Sequence, residues 1–363
     1  MRYFKVPKIR NRNYRWRDEF PARSASMAES RRERPQSEYR PASLASGTNR
    51  KYNHMDVSVI IVNYKTSQLL MQAIDSILDK TEDIVYEIIV VDNHSQDDSE
   101  RVVHERYGNR VTYLLLAENV GFGRANNEGA KIARGRYLFL LNPDTWLLNN
   151  AVKILSDFLD THGSAAIVGG NLYSPDIKPN ASFSRKLLFP SWFMEVSYLS
   201  AWILPRLVYG KNFEFNHSGR PLEVGFIIGA DMMIRTDVFH RLGGFDPSFF
   251  MYAEETDLSY RVAQAGFKSM SVPEARIVHM EGKSHEYKET QMQMRYDSRK
   301  IYYAKHHGKY YARIADLIHR VTIWSRILGY TVIGQQGKKR QWYSNLELFD
   351  SYNHKKGNVS AKK

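Results

Sequence analysis

The sequence contains no cysteine, which excludes disulfide staples and cysteine-ligated metal sites and is compatible with a reducing cytoplasm. It also lacks any run of about 18 uncharged apolar residues, the length that a membrane-spanning helix needs. The first residues, MRYFKVPKIRNRNYRWRDEF, are basic but carry no apolar stretch of the kind a secretory signal requires, so no such signal is expected. No internal repeat is visible. No nucleic-acid-binding motif accompanies the positive charge, so no nucleic-acid partner is expected.

What remains is a chain of 363 residues, 43% apolar, enough for one ordinary to large domain with tails or for two small domains. Tyr, Phe and Trp number 23, 17 and 6; their rings suit sugar stacking, although packing is their commoner use. The net charge of +13 is unevenly placed, because residues 1–51 hold 14 Lys and Arg against 5 Asp and Glu. Residues 1–55, rich in Arg, Ser, Pro and Asn, read as a basic disordered tail. Such a block prefers an anionic surface, here a membrane, or has no partner at all.

Order is expected from Val57. VSVIIVNY, EIIVVD (87–92), VTYLLL (111–116) and RYLFLLNPD (136–144) read as strands, the first two as buried β-branched runs of parallel type. Between and after them lie helical stretches at Ser67–Leu78, Asp97–Tyr107, Arg124–Ala133 and Asn149–Thr161. Strands alternating with helices of this length predict an α/β fold, a mostly parallel sheet with helices on both faces. From Ala165 to Ser284 the alternation weakens, with strands expected at Gly225–Arg235 and Ser269–Val278, and residues 285–345 return to helical patterns. The divisions are thus a tail at 1–55, a domain at 56–284 with halves at 56–164 and 165–284, a helical C-terminal extension at 285–345 and a polar tail at 346–363.

Ligands of such sheets bind beyond the carboxyl ends of the strands, and Asn63, Asp92 and Asp144 lie at those ends. Asp92 can accept hydrogen bonds from a nucleobase imide or ribose hydroxyls, or cap a helix in the DNHSQDD turn. Gly121 and Gly123, in ENVGFGRANNEG, allow close backbone approach before a helix whose start favours anions; a purely structural turn is the alternative. Asp144 can hold Mg2+ or Mn2+ or cap a turn. Glu254, Glu255 and Asp257 crowd three carboxylates into four residues, which when buried can raise one pKa and create a base; a solvated helix start is the other reading. His279, a lone histidine between ARIV and MEGKS, reads from its type alone as a core histidine, with Lys283 and Ser284 following it. Asp231, in GADMMIR, is a candidate sugar or acceptor contact. The segment IADLIHRVTIWSRILGYTVIG (314–334) is apolar at three- and four-residue steps and basic between, as suits a membrane interface, packing on its own domain, or a dimer contact.

The ordered set VSVIIVNY, IIVVDNHS, ENVGFGRANNEG and FLLNPD resembles the donor half of glycosyltransferase family 2, inverting enzymes of GT-A fold. GGFDPSFFMYAEETDL and IVHMEGKS resemble the acceptor half of its rhamnosyltransferase-like branch. The resemblance covers roughly 230 residues. It implies nucleoside binding at Asp92, a sugar-nucleotide pocket at Gly121, Gly123, Asn126 and Asn127, and a divalent cation on Asp144 with His279 beside it. Asn142-Pro143-Asp144 stands where the family has DxD, with Asn142 replacing the first acid. The family's Glu-Asp-x-Asp base maps onto Glu255, a methylene longer than the usual Asp, with Glu254, Asp257 and Asp231 on the acceptor side. The implied donor is a nucleoside-diphosphate sugar, dTDP-rhamnose first and UDP-galactofuranose next, and the acceptor a saccharide or lipid-linked saccharide at the cytoplasmic face of the membrane. Two rivals stand beside it. Nucleotidyl transfer needs a Gly-rich basic loop after the first strand, where the chain reads NYKTSQLL. A decayed sugar-nucleotide-binding scaffold is opposed by the joint presence of Asp92, Asp144, Glu255 and His279.

Overall fold

The computed structural model describes residues 55–185, 210–280 and 288–360. The readings made for the basic tail before Met55 and for Lys283 and Ser284 fall outside these residues. In chain order the strands are β1 (Val57–Asn63), β2 (Tyr86–Asp92), β3 (Val111–Leu115), β4 (Tyr137–Leu141), β5 (Thr145–Leu147), β6 (Ala165–Tyr173), β7 (Phe183–Ser184), β8 (Leu222–Val224), β9 (Phe226–Ile227), β10 (Asp231–Arg235) and β11 (Lys268–His279). The helices are α1 (Ser67–Lys80), α2 (Ser99–Tyr107), α3 (Phe122–Ile132), α4 (Ala151–Thr161), α5 (Thr236–Arg241), α6 (Glu254–Gln264), α7 (Lys288–His306), α8 (Lys309–Val332) and α9 (Gln336–Ser360).

A nine-stranded sheet runs β3-β2-β1-β4-β10-β6-β11-β5, with β8 alongside β11. The pairs β1–β2, β2–β3, β1–β4 and β6–β11 are parallel. β10 lies antiparallel between β4 and β6. Every residue of β1 is buried, as its unbroken apolar run requires. Its alternate residues feed opposite faces. Val57, Val59 and Ile61 pack with Leu70, Ile74 and Ile77 of α1, Val103 of α2 and Leu155 of α4. Ile60 and Val62 pack with Ala125 of α3, Phe239 of α5 and Leu258 of α6. The expected α/β sheet with helices on both faces is therefore the observed one.

Within the sheet two readings change. The span Gly225–Arg235 is two strands, β9 and β10, broken at 228–230. Central strand β6 escaped the sequence reading because Gly169 and Gly170 interrupt its apolar run. Both are packing requirements: a Cβ on Gly170 would stand 2.5 Å from the Ala275 carbonyl oxygen, and one on Gly169 2.4 Å from Ile227 Cγ2. β11 bulges between Ser271 and Arg276 where it passes Gly170.

In the extension, Tyr296, Ile323, Ile327, Leu346 and Phe349 form a small core of α7, α8 and α9. The polar tail expected from residue 346 is instead helical through Ser360. The spacing of Trp342, Leu346 and Phe349 puts all three on one helix face, and the last two are buried. Helix α8 buries Ala315, Ile323 and Ile327 and exposes Ile314, Leu317, Val321, Trp324 and Leu328. Among the described residues no helix is long and apolar enough to cross a membrane.

The β6–β11 contact yields a stability test. Gly170→Ala should cost about 1–3 kcal/mol, since a backbone oxygen must move to admit the methyl. Gly163→Ala, with nothing within 4 Å of its Cβ, should stay within about 0.5 kcal/mol of wild type. Denaturant unfolding of both variants checks this; an unchanged Gly170→Ala would mean that the bulge yields freely.

Candidate active site

The strand directions deliver the polar residues to one edge. β1, β2 and β4 end there, and β10, running the other way, begins there with Asp231 opposite Leu141. β11 ends there with His279 paired to Thr145.

Asp92 is buried and nearly saturated. Its Oδ1 accepts from the Ser95 amide at 2.7 Å. Its Oδ2 accepts from Asn63 Nδ2 at 2.7 Å and from the Tyr113 hydroxyl at 2.7 Å. Asn63 is wholly buried; its Nδ2 also reaches Ser95 and Ser99, and its Oδ1 accepts from Thr66. The donor contact read for Asn63 is thus replaced by an inward one, in which the amide holds Asp92 in place. Asp92 is not a helix cap either, because the amide of Ser99, the first residue of α2, is taken by Asp97. Tyr113 carried no sequence signal beyond a polar ring in an apolar strand. Burial, then the Asp92 carboxylate, pushes its hydroxyl well above the usual range, so it stays a donor to Asp92.

The glycine loop is a joint within the protein. Gly121 has φ 89, and a Cβ there would meet the Phe250 carbonyl at 2.2 Å; one on Gly123 would meet Phe245 Cβ at 3.0 Å. Phe122 N donates to Phe250 O at 3.0 Å. Asn127 clasps the Phe245 backbone, donating to its oxygen at 2.8 Å and accepting from its nitrogen at 2.9 Å. Asn126 donates to Phe122 O at 3.0 Å and is buried. The side-chain amide of Asn127, read as donor-facing, is therefore committed to joining the two halves.

Asp144 and His279, far apart in sequence, come together because β5 pairs with β11. His279 Nε2 lies 3.4 Å from Asp144 Oδ1, and both side chains are largely buried. The backbone is pinned around them: Met280 N donates to Asp144 O, Asn142 N to Ala230 O, and Thr145 Oγ1 to Asn142 O. A carboxylate oxygen suits Mn2+ or Mg2+, and an imidazole nitrogen beside it suits Mn2+ better than Mg2+. No group of three or more histidine, cysteine or acidic ligands exists among the described residues, so these two side chains are the protein's candidate donors here.

The acid cluster opens α6. Tyr252 and Ala253 precede it in left-handed conformation, φ 70 and 64, at a cost of roughly 1–3 kcal/mol each for residues other than glycine. Glu254 is buried with Oε2 unpartnered; burial, then the neighbouring Glu255, pushes its carboxyl well up. Burial also raises Glu255, and the Arg295 guanidinium opposes that rise. Glu255 stands beside Gly229, whose added Cβ would lie 3.8 Å from Glu255 Cβ, and the next residue, Ala230, holds Asn142. The acid and the metal-type pair thus share one short stretch of loop.

Two residues read as acceptor-side have internal partners. Asp257 is fully buried and bonded to Arg261, Lys305 and His306 at 2.7 Å each. Burial alone would raise its carboxyl, and these partners outweigh burial and hold it below the usual range. It is a tie between α6 and α7, not a surface for an acceptor. Asp231 is also wholly buried, accepting from Gly170 N at 2.6 Å through Oδ2 and leaving Oδ1 unpartnered. Burial pushes its carboxyl well above the usual carboxylate range, against the hydrogen bond from Gly170. Arg295, Ser298, Lys305 and His306 were missed, because residue type alone does not reveal that α7 folds back on the acid turn.

The chain is 28% identical over 242 residues to an N-acetylglucosaminyl-diphospho-decaprenol L-rhamnosyltransferase of Mycobacterium tuberculosis, covering 61% of this chain and 75% of the relative. It is 24% identical to a low-salt glycan biosynthesis hexosyltransferase of Haloferax volcanii, covering 81% and 89%. The fold resembles that of a mannosyltransferase of Pyrobaculum calidifontis solved with GDP-Man and Mn2+, with a TM-score of 0.52 at 14% identity, over 86% of this chain and 89% of that one. The model of glycosyl transferase family 2 matches residues 58–243, from β1 to the loop after α5. With that match spanning more than half its length, the chain belongs to glycosyl transferase family 2.

Proposed function

We propose that the protein is an inverting, metal-dependent transferase that moves a hexose, rhamnose from a dTDP donor, onto a hydroxyl of a saccharide or lipid-linked saccharide in cell-surface polysaccharide synthesis. The observation that carries this reading is the Asp144–His279 pair at 3.4 Å, at the sheet edge that also bears Asp92 and Glu255. The choice of sugar and acceptor rests on likeness to the mycobacterial relative, whose name specifies both.

In this reading the nucleoside lies over Asp92, whose carboxylate is oriented by Asn63 and Tyr113. Asp144 and His279 would hold the cation, which when bound would supply positive charge to stabilise the departing diphosphate. Glu255 accepts the acceptor hydroxyl's proton as that oxygen bonds to the anomeric carbon, and the sugar–phosphate C–O bond breaks with its electron pair leaving on the nucleoside diphosphate. Arg295 opposes the effect of burial and favours the ionised form that Glu255 needs. Burial, then its neighbour, pushes Glu254 towards the protonated form, which lessens repulsion between the two acids.

The reading also places the protein peripherally on the cytoplasmic face of the membrane. Along α8, Tyr310, Ile314, Leu317, Val321, Trp324 and Leu328 are exposed, and Arg313, Lys338 and Arg340 are exposed basic residues on α8 and α9. An apolar helix face with basic neighbours suits an anionic interface.

Asp144→Ala and His279→Ala should each lower transfer; for Asp144 the loss should reach several kcal/mol of transition-state stabilisation. Calorimetry should show weaker Mn2+ binding in the presence of nucleoside diphosphate. Full activity of Asp144→Ala, or of wild type in excess chelator, contradicts the metal role. For the membrane, wild type should bind anionic vesicles at low salt and release as salt rises. The pair Leu317→Asp and Leu328→Asp should abolish binding while the unfolding temperature holds. Undiminished binding would remove α8 from the interface, and loss of a concentration-dependent dimer instead would assign the stripe to a second copy.

A further inference from the structure

Helix α7 lies beyond the region matched by the family model, which ends at residue 243, yet it grips the turn that carries the acids. Ser298, itself buried, donates from Oγ to Met251 O at 2.7 Å. The Arg295 guanidinium lies over the Tyr252 ring, 4.6 Å from its centroid. Lys305 Nζ reaches Asp246 at 2.5 Å and Asp257 at 2.7 Å, and His306 Nε2 reaches Asp257 at 2.7 Å. From the opposite side, α3 holds the same stretch through Phe122 N to Phe250 O at 3.0 Å and Arg124 Nε to Pro247 O at 2.7 Å.

The contacts fall at particular places. Two consecutive residues other than glycine, Tyr252 and Ala253, are left-handed, and such a pair persists only where its surroundings hold it. Ser298 ties the residue before the pair, Arg295 covers its first member, and Lys305 and His306 fix Asp257 on the first turn of α6. Glu254 and Glu255 lie between these anchors. The side-chain direction of Glu255, which puts it beside Gly229, is set by this turn.

We propose that α7 is a working part of the transferase, in which Arg295 and Ser298 are positioning residues that hold the Tyr252–Ala253 turn so that Glu255 faces the reacting hydroxyl. The proposal rests on the reading of Glu255 as the base. It adds that the extension completes the acceptor side of the site, while the donor side is built by the sheet and α3.

The test compares Arg295→Gln, Ser298→Ala and Arg295→Lys in the full chain, alone and combined with Glu255→Gln. Each is measured for kcat of transfer, affinity for nucleoside diphosphate and unfolding temperature. Arg295→Gln and Ser298→Ala should lower kcat by about 10- to 100-fold, the scale of a small misplacement of a reacting group. Nucleoside diphosphate affinity should stay within about twofold, and neither substitution should add to the loss already caused by Glu255→Gln, since both act through that side chain. Arg295→Lys should recover part of the rate. Full-rate Arg295→Gln and Ser298→Ala beside an inactive Glu255→Gln would overturn the role of α7 and leave the base in place. Losses that multiply with that of Glu255→Gln, or donor affinity falling in step with kcat, would also overturn it. A fully active Glu255→Gln would overturn the base assignment and this proposal with it.

Discussion

The site depends on the direction of one strand. β10 runs antiparallel between β4 and β6, so its first residue, and the Gly229-Ala230 loop before it, emerge where β1, β2 and β4 end. Because β10 is antiparallel to both neighbours, β6 and β11 resume the direction of β4, and β11 delivers His279 to the same edge. The short return of β5 along β11 then sets Asp144 against His279. Had β10 run parallel to β4, the Gly229 loop would lie at the far end of the sheet, away from Asn142 and Glu255.

The same economy of placement separates three neighbouring carboxylates. Asp257 is ionised and tied to cations on two helices. Glu254 is buried, without a partner for Oε2, and its carboxyl is pushed towards the neutral form. Glu255 lies between these environments, with burial raising it and Arg295 opposing. Environments that push the pKa values of adjacent acids apart are how one of several acids is singled out for proton transfer. The upward push on Glu254 matters here because two ionised carboxylates side by side would repel.

How much of this the sequence carries depends on how local the signal is. β1, β2 and β4 were legible because each is a compact apolar run with a polar residue at its end or just after it, and α1 to α4 because their apolar spacing is regular. β6 was not, because the glycines that allow β11 to cross it also dilute its hydrophobic pattern. Asp144 and His279 were flagged by residue type and by resemblance, but their contact is a product of strand pairing. Asn63, Asn127, Asp231 and Asp257 show the opposite limit. Their types suit ligand contact, and only the fold reveals that Asp92, Phe245 and α7 engage Asn63, Asn127 and Asp257, and that Gly170 takes one of the two carboxyl oxygens of Asp231. The grip of α7 on the acid turn had no local signal, since it joins a helix of the extension to a turn of the domain.

The central claim of the proposed function is a single displacement, with one base, Glu255, on the acceptor side and the nucleoside diphosphate leaving on the other. Its most direct test is the anomeric configuration of the product. Transfer from a donor of defined configuration, followed by proton NMR of the new glycosidic linkage before any equilibration, should show the configuration inverted. A product that retains the donor's configuration would contradict the account, because a lone base opposite the leaving group has no means of turning the sugar over twice.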